Sequence, residues 1–130
     1  MAKNNKRKLS DANLEIMKVV WRKGSEVTIN EVLEAVNAGR RKKLKRATIQ
    51  VQMKRLEKYG WLKHRVINRE FLYAPLRKEE EVKHRILNNI RHRVFGGSHV
   101  DLVRCLFENG SASDEELRLV REILSRREKE

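Results

Sequence analysis

The apolar residues of this chain change period at Gly60. Before it, three blocks repeat at helical spacing and each ends at a glycine. They are Leu14, Ile16, Met17, Val20 and Trp21 up to Gly24; Ile29, Val32, Leu33 and Val36 up to Gly39; and Ile49, Met53, Leu56 and Tyr59 up to Gly60. After it, "WLKHRV" and "EFLYAP" are short, rich in β-branched and aromatic residues, and roughly alternating. Asn68 offers a turn between them and Pro75 closes the second. Capping residues agree with the periodicity. Ser10 and Asp11 offer N-cap oxygens to the first block, and Thr28 followed by Glu31 has the spacing of a capping box for the second. The pattern predicts two capped helices, a third over about 46–59, and a hairpin of strands 61–66 and 71–74.

Helix, helix, helix, hairpin is the order of a winged helix-turn-helix. Residues 9–76 are therefore read as a DNA-binding domain, preceded by a flexible basic arm at 1–8. Residues 77–127 read as helical again. Val82, Ile86, Leu87, Ile90 and Val94 form one stripe up to Gly96-Gly97. Val100, Leu102, Val103, Leu106 and Phe107 form a second up to Asn109-Gly110, and Leu117, Val120, Ile123 and Leu124 a third. Ser113 caps the last helix, and Asp114, Glu115 and Glu116 suit its positive end. Three short amphipathic helices of roughly 55 residues bury too little surface alone, and a second copy is the simplest cover. The expected class is mainly α with a small β-hairpin: an N-terminal winged helix and a three-helix C-terminal dimerisation region. Ile86, Ile90, Leu102, Leu106 and Leu124 are the expected dimer interface.

Charge is distributed unevenly over these two parts. Residues 1–75 hold 19 Lys and Arg against 7 Asp and Glu, a net +12, whereas residues 76–130 hold 12 against 11, a net +1. One half suits a polyanion and the other does not. Around the third helix, Ile49, Met53 and Leu56 mark an inward side, which leaves Ala47, Val51, Lys54 and Lys58 opposite. Thr48 and Arg55 lie along one flank and Gln50 along the other. That face mixes small apolar groups, hydroxyl and amide groups, and long cations. In a major groove, Arg can bond guanine, Gln adenine, and small apolar groups thymine methyls. Lys45, Arg46 and the cluster at 40–43 lie where phosphate contacts would set register. The hairpin tip is read as carrying His64, Arg65, Asn68 and Arg69, with Arg65 and Arg69 touching DNA. A basic surface helix that merely aids solubility is the bland alternative, and its place between two capped helices and a hairpin argues against it. A winged-helix protein that coats DNA with little sequence preference remains an alternative, as does a module that meets an acidic protein.

Catalytic and metal chemistry find no support in the spacing. Cys105 is a lone cysteine, so an internal disulfide and a Cys-rich zinc site are excluded. It is read as a buried packing residue of its helix. His64, His84, His92 and His99 match no ligand motif, and there is no Gly-rich phosphate loop. No enzyme activity, metal or cofactor is expected. No apolar run approaches the ~20 residues of a membrane span. "MAKNNKRKL" is charged but lacks the apolar stretch that follows in a signal peptide. The expected location is the cytoplasm, at the nucleoid.

"LSDANLEIMKVVW", "ATIQVQMKRLEKYGWL", "FLYAPL", the helix–"GGS"–helix passage and "DEELRLVREIL" together resemble the penicillinase-repressor family, from about residue 9 to 126. These are winged-helix repressors of β-lactamase and methicillin-resistance genes, with copper-responsive relatives. The resemblance implies an N-terminal winged helix, a C-terminal helical dimerisation domain, and dimers that bind dyad operators and block transcription. In β-lactam-responsive members a sensor protease cuts an Asn-Phe bond in the second C-terminal helix, and the corresponding bond here is Cys105-Leu106. Ala47 and Val51 stand where threonines are usual in the family. The paired Cys-x-Cys motifs of the copper-responsive members are absent from this sequence.

Overall fold

The computed structural model describes residues 9–129, and the basic arm expected at 1–8 lies outside them. The chain runs α1 (Asp11–Lys23), α2 (Ile29–Asn37), α3 (Arg46–Lys58), β1 (Leu62–Ile67), β2 (Glu70–Pro75), α4 (Glu79–Phe95), α5 (His99–Glu108) and α6 (Asp114–Lys129). It divides into two compact units, one through Lys83 and one from His84.

The first unit has the expected helix–helix–helix–hairpin order. Ser10 Oγ accepts from the Asn13 backbone N–H at 3.1 Å, and Gly24 ends α1 with φ 71°, a left-handed conformation that costs glycine little. At the start of α2, Thr28 Oγ1 accepts from Glu31 N–H at 3.1 Å while Glu31 Oε1 accepts from Thr28 N–H at 2.9 Å. Both halves of the capping box are thus formed. The inward stripes meet as read: Ile16, Met17, Val20, Val32, Val36, Ile49, Met53 and Leu56 are all buried. The hairpin is one residue longer at its tip than expected. Asn68 and Arg69, both at positive φ (51° and 66°), make the two-residue turn that matches the twist of paired strands.

Val27 lies between α1 and α2, outside any periodic stripe. It is fully buried and pairs with Tyr73 of β2, each backbone N–H donating to the other's carbonyl at 2.9 and 2.8 Å. Trp61, Leu62 and Tyr73 are buried beside it, so the base of the hairpin is part of the core. Trp21 Nε1 donates to the Arg77 carbonyl at 2.9 Å, and the Arg77 guanidinium lies 4.5 Å from the centre of the Trp61 ring. Val82 adds the first turns of α4 to this core.

In the second unit the expected Ser113 cap is present, and Ser98 caps α5 in the same way. Ser98 Oγ accepts from Asp101 N–H at 3.0 Å, and Ser113 and Glu116 bond reciprocally at 3.1 and 3.2 Å. Neither α5 nor α6 contains a fully buried residue. Leu102, Phe107, Leu117 and Val120 are half-buried, whereas Val100, Val103, Leu106, Ile123 and Leu124 are exposed. Cys105 is exposed as well, which corrects the reading of it as a buried packing residue. Its helix has apolar residues on more of its circumference than one chain covers.

Candidate nucleic-acid interface

The third helix presents its two sides as its sequence requires. Ile49, Met53 and Leu56 are buried, while Lys45, Arg46, Ala47, Thr48, Gln50, Val51, Lys54 and Arg55 are all exposed. Their neighbours treat the cations differently. Arg46 Nε donates to Asn30 Oδ1 at 2.9 Å, so the first turn of α2 orients the first residue of α3. In the preceding loop Arg40 pairs with Glu15 at 2.9 Å and Lys43 Nζ donates to the Asn37 carbonyl at 2.6 Å. Asn37 also bonds Leu44 twice, accepting at Oδ1 (2.8 Å) and donating from Nδ2 (3.0 Å), which fixes the loop leading into α3. Among the described residues, the side chains of Lys45, Lys54, Arg55 and Arg69 make no ion pair.

Between α3 and the hairpin runs a groove of about 380 Å³ lined by Arg46, Gln50, Lys54, Arg69, Phe71 and Tyr73, among others. Arg69 is at the hairpin tip, as expected. Arg65 is not. It lies within β1 opposite Leu72, and its Nε and Nη2 each donate to a Glu26 carboxylate oxygen at 2.6 Å. Strand alternation explains the difference. Lys63, Arg65, Leu72 and Ala74 share a hollow with Glu26, whereas Phe71 and Tyr73 line the groove beside α3. The Arg65 hydrogen bonds hold the Glu26 carboxyl below the usual carboxylate range, and Glu26 in turn raises Arg65.

His64 reaches α3 and also borders the Glu26 hollow. Its Nδ1 is 2.7 Å from both carboxylate oxygens of Glu57, in the last turn of α3, and its ring stacks on Phe71 at 4.1 Å and 6°. Tyr73 lies beside this pair, its ring 5.5 Å from His64, and burial followed by the nearby Glu57 charge pushes its phenol up. Asn30, Glu57 and Phe71 escape the sequence reading because their partners are set by how helices and hairpin pack. Of these positions, Asn30 alone carried a local hint, as a polar residue in a helix's first turn.

The expected dimer residues lie in the second unit: Ile86, Ile90, Leu106 and Leu124 are exposed and Leu102 is half-buried. The Cys105-Leu106 bond lies inside α5, with both side chains exposed. Among the described residues there is no group of three or more His, Cys, Asp or Glu placed to hold a metal ion, and no helix long and apolar enough to cross a membrane.

A model of the penicillinase repressor family matches residues 9–126. The chain is 34% identical over 116 residues to the penicillinase repressor of Bacillus licheniformis, covering 89% of this chain and 88% of that protein. It is 27% identical over 124 residues to the methicillin resistance regulatory protein MecI of Staphylococcus aureus (strain N315), covering 95% and 98%. Among solved structures it is similar to the DNA-binding domain of the repressor BlaI, at 38% identity over 57% of this chain and 87% of that one, with a TM-score of 0.49. Bacillus licheniformis BlaI in monomeric form, in complex with the blaP half-operator, aligns at 36% identity over 58% and 88%, with a TM-score of 0.48. The chain belongs to the penicillinase repressor family.

Proposed function

We infer that the chain is a sequence-specific, DNA-binding transcriptional repressor that acts as a homodimer on operators of dyad symmetry. The observation that carries this reading is the outward side of α3. It offers amide, hydroxyl, methyl and cationic groups together, across a groove from Arg69. A face of that mixed chemistry suits base edges, whereas a face of lysines alone would suit only phosphates. Relatives named as a penicillinase repressor and a methicillin resistance regulator support it, as does the BlaI structure holding a half-operator.

In this reading α3 enters the major groove. Thr48, Gln50 and Arg55 meet base edges, Ala47 and Val51 meet thymine methyls, and Lys45, Arg46 and Lys54 meet phosphates. Arg69 reaches the backbone from the hairpin. Arg65 contributes by holding Glu26 and, through it, the base of the hairpin. Ile86, Ile90, Leu102, Leu106 and Leu124 join two chains, and joining two half-site binders raises the affinity of both together. Repression by occupying an operator makes and breaks no covalent bond, so this reading calls for no catalysis. A chromosomal target places it in the cytoplasm, at the nucleoid. Cutting the dimerisation helices near Cys105-Leu106 would lower affinity to that of one half-site, so release follows either from a sensor protease or from a non-proteolytic signal.

Selection of binding sites from random duplexes tests the reading, followed by competition with unrelated DNA at physiological salt. The expected result is a two-fold symmetric site bound about a thousandfold or more above random DNA. Equal affinity for all duplexes would establish the coating alternative, and no duplex binding at all would leave the acidic-protein alternative.

A further inference from the structure

The base of the hairpin is held by the buried Tyr73, by the Val27–Tyr73 backbone bonds, and by Leu76 N–H donating to the Trp61 carbonyl at 2.9 Å. The tip has no such anchor. Val66, Ile67 and Phe71 are exposed, and Asn68 and Arg69 form only the turn. A two-stranded ribbon twists and bends readily, so something must set the distance from its tip to α3. The link runs through three side chains. Glu57, in the last turn of α3, holds His64 of β1 by contacts of 2.7 Å from Nδ1 to both carboxylate oxygens. His64 stacks flat on Phe71 of β2 at 4.1 Å. Phe71 in turn lines the groove with Gln50, Lys54 and Arg69.

We propose that Glu57, His64 and Phe71 form a brace that positions the hairpin tip, so that Arg69 meets the DNA backbone while α3 occupies the adjacent groove. The proposal rests on the reading of α3 and Arg69 as DNA contacts. These three are positioning residues and act through Arg69. The His64 and Glu57 side chains are part-buried, 27% and 31% exposed, and meet between α3 and β1. The effect of this contact is geometric. Without it the folded protein still binds through α3, and the tip samples positions in which Arg69 misses its phosphate.

The test is a double-mutant cycle on the full chain, with affinity measured for a duplex carrying the selected operator. Arg69→Ala and His64→Ala should each weaken binding, by about tenfold and about fivefold, and the double variant should be no weaker than Arg69→Ala alone. Glu57→Ala should repeat the His64→Ala result, and Glu57→Gln, which keeps a hydrogen-bonding group at the same place, should restore most of the affinity. Should His64→Ala lower the folded fraction, the Glu57 pair at the helix surface decides the matter alone. Losses that multiply independently in the double variant would overturn the brace and leave α3 as the reading element. A wild-type chain that binds no duplex would overturn both.

Discussion

Val51 leaves 54% of its surface in water although Ile49 and Met53, two positions to either side, are fully buried. One turn before it Ala47 is also exposed, so α3 carries a short apolar track between Gln50, Lys54 and Arg55. In the major groove the thymine methyl is the apolar feature such a track can cover. Replacing the thymine opposite Val51 by uracil removes that methyl and nothing else. The expected loss is about 0.8 kcal/mol, or about fourfold, and it should vanish in Val51→Ala. A thymine-by-thymine uracil scan of the selected operator reads it out, and a flat scan would reject the contact. Arg55 and Lys54 should differ in kind. Arg55→Ala should cost roughly 1–3 kcal/mol and relax preference at one position per half-site. Lys54→Ala should weaken all sequences alike and reduce the salt dependence by about one phosphate. This face was legible in the sequence because a helix with buried Ile49, Met53 and Leu56 must point Val51 and Lys54 the other way. Arg65 shows where such reading ends. The expected strand already held Arg65, and with a turn of Asn68-Arg69 alone it stands back from the tip. Its partner Glu26 is 39 positions away in the chain.

At the level of elements, the capping box of α2 holds one end of the helix that orients Arg46. Thr28→Ala should destabilise the first unit by about 1 kcal/mol, seen as a lower midpoint in thermal or urea unfolding. Glu31 of the same box is held below the usual carboxylate range, first by the Lys23 hydrogen bond at 2.8 Å and then by the Thr28 backbone. A lowered carboxyl pKa stabilises the fold above the ordinary carboxylate range and loses that effect as the pH falls through the lowered value. Glu31→Gln should therefore narrow the difference in stability between neutral and acid solution. The periods of all six helices, and the caps of α1, α2 and α6, were readable because each depends on residues three or four apart. The Val27–Tyr73 pairing was not, since a single β-bridge leaves no period to find. Helix α5 gives a different prediction. Family cleavage is read as occurring at Asn-Phe, and this chain has Cys105-Leu106 at the corresponding bond, with Phe107 one residue later. A family sensor protease incubated with the purified chain should release its fragments slowly or not at all. Prompt cleavage between Cys105 and Leu106, seen by mass, would show that the substitution is tolerated.

At the scale of the whole chain, the net charge of +12 through residue 75 and +1 beyond it separates two kinds of surface. The first unit has a buried apolar core, whereas the second leaves Ile86, Leu87, Val94, Val100, Leu106 and Ile123 among those exposed. Sedimentation of the full chain at micromolar concentration should therefore show a dimer. Leu106→Glu should shift it toward monomer, because a carboxylate would have to enter an apolar interface, and a monomeric wild type would remove the idea. Two half-sites bound by separate chains lose the gain of linkage, so the same variant should bind the operator at least a hundredfold more weakly. The uncovered apolar surface of α5 and α6 also bears on how much protein a cell must make. For the proposed dimer, where chains are mostly single and the operator mostly free, the dimer population follows the square of the chain number, so halving synthesis quarters operator occupancy. An apolar face left exposed among the described residues would, in that dimer, make gene control a matter of dosage.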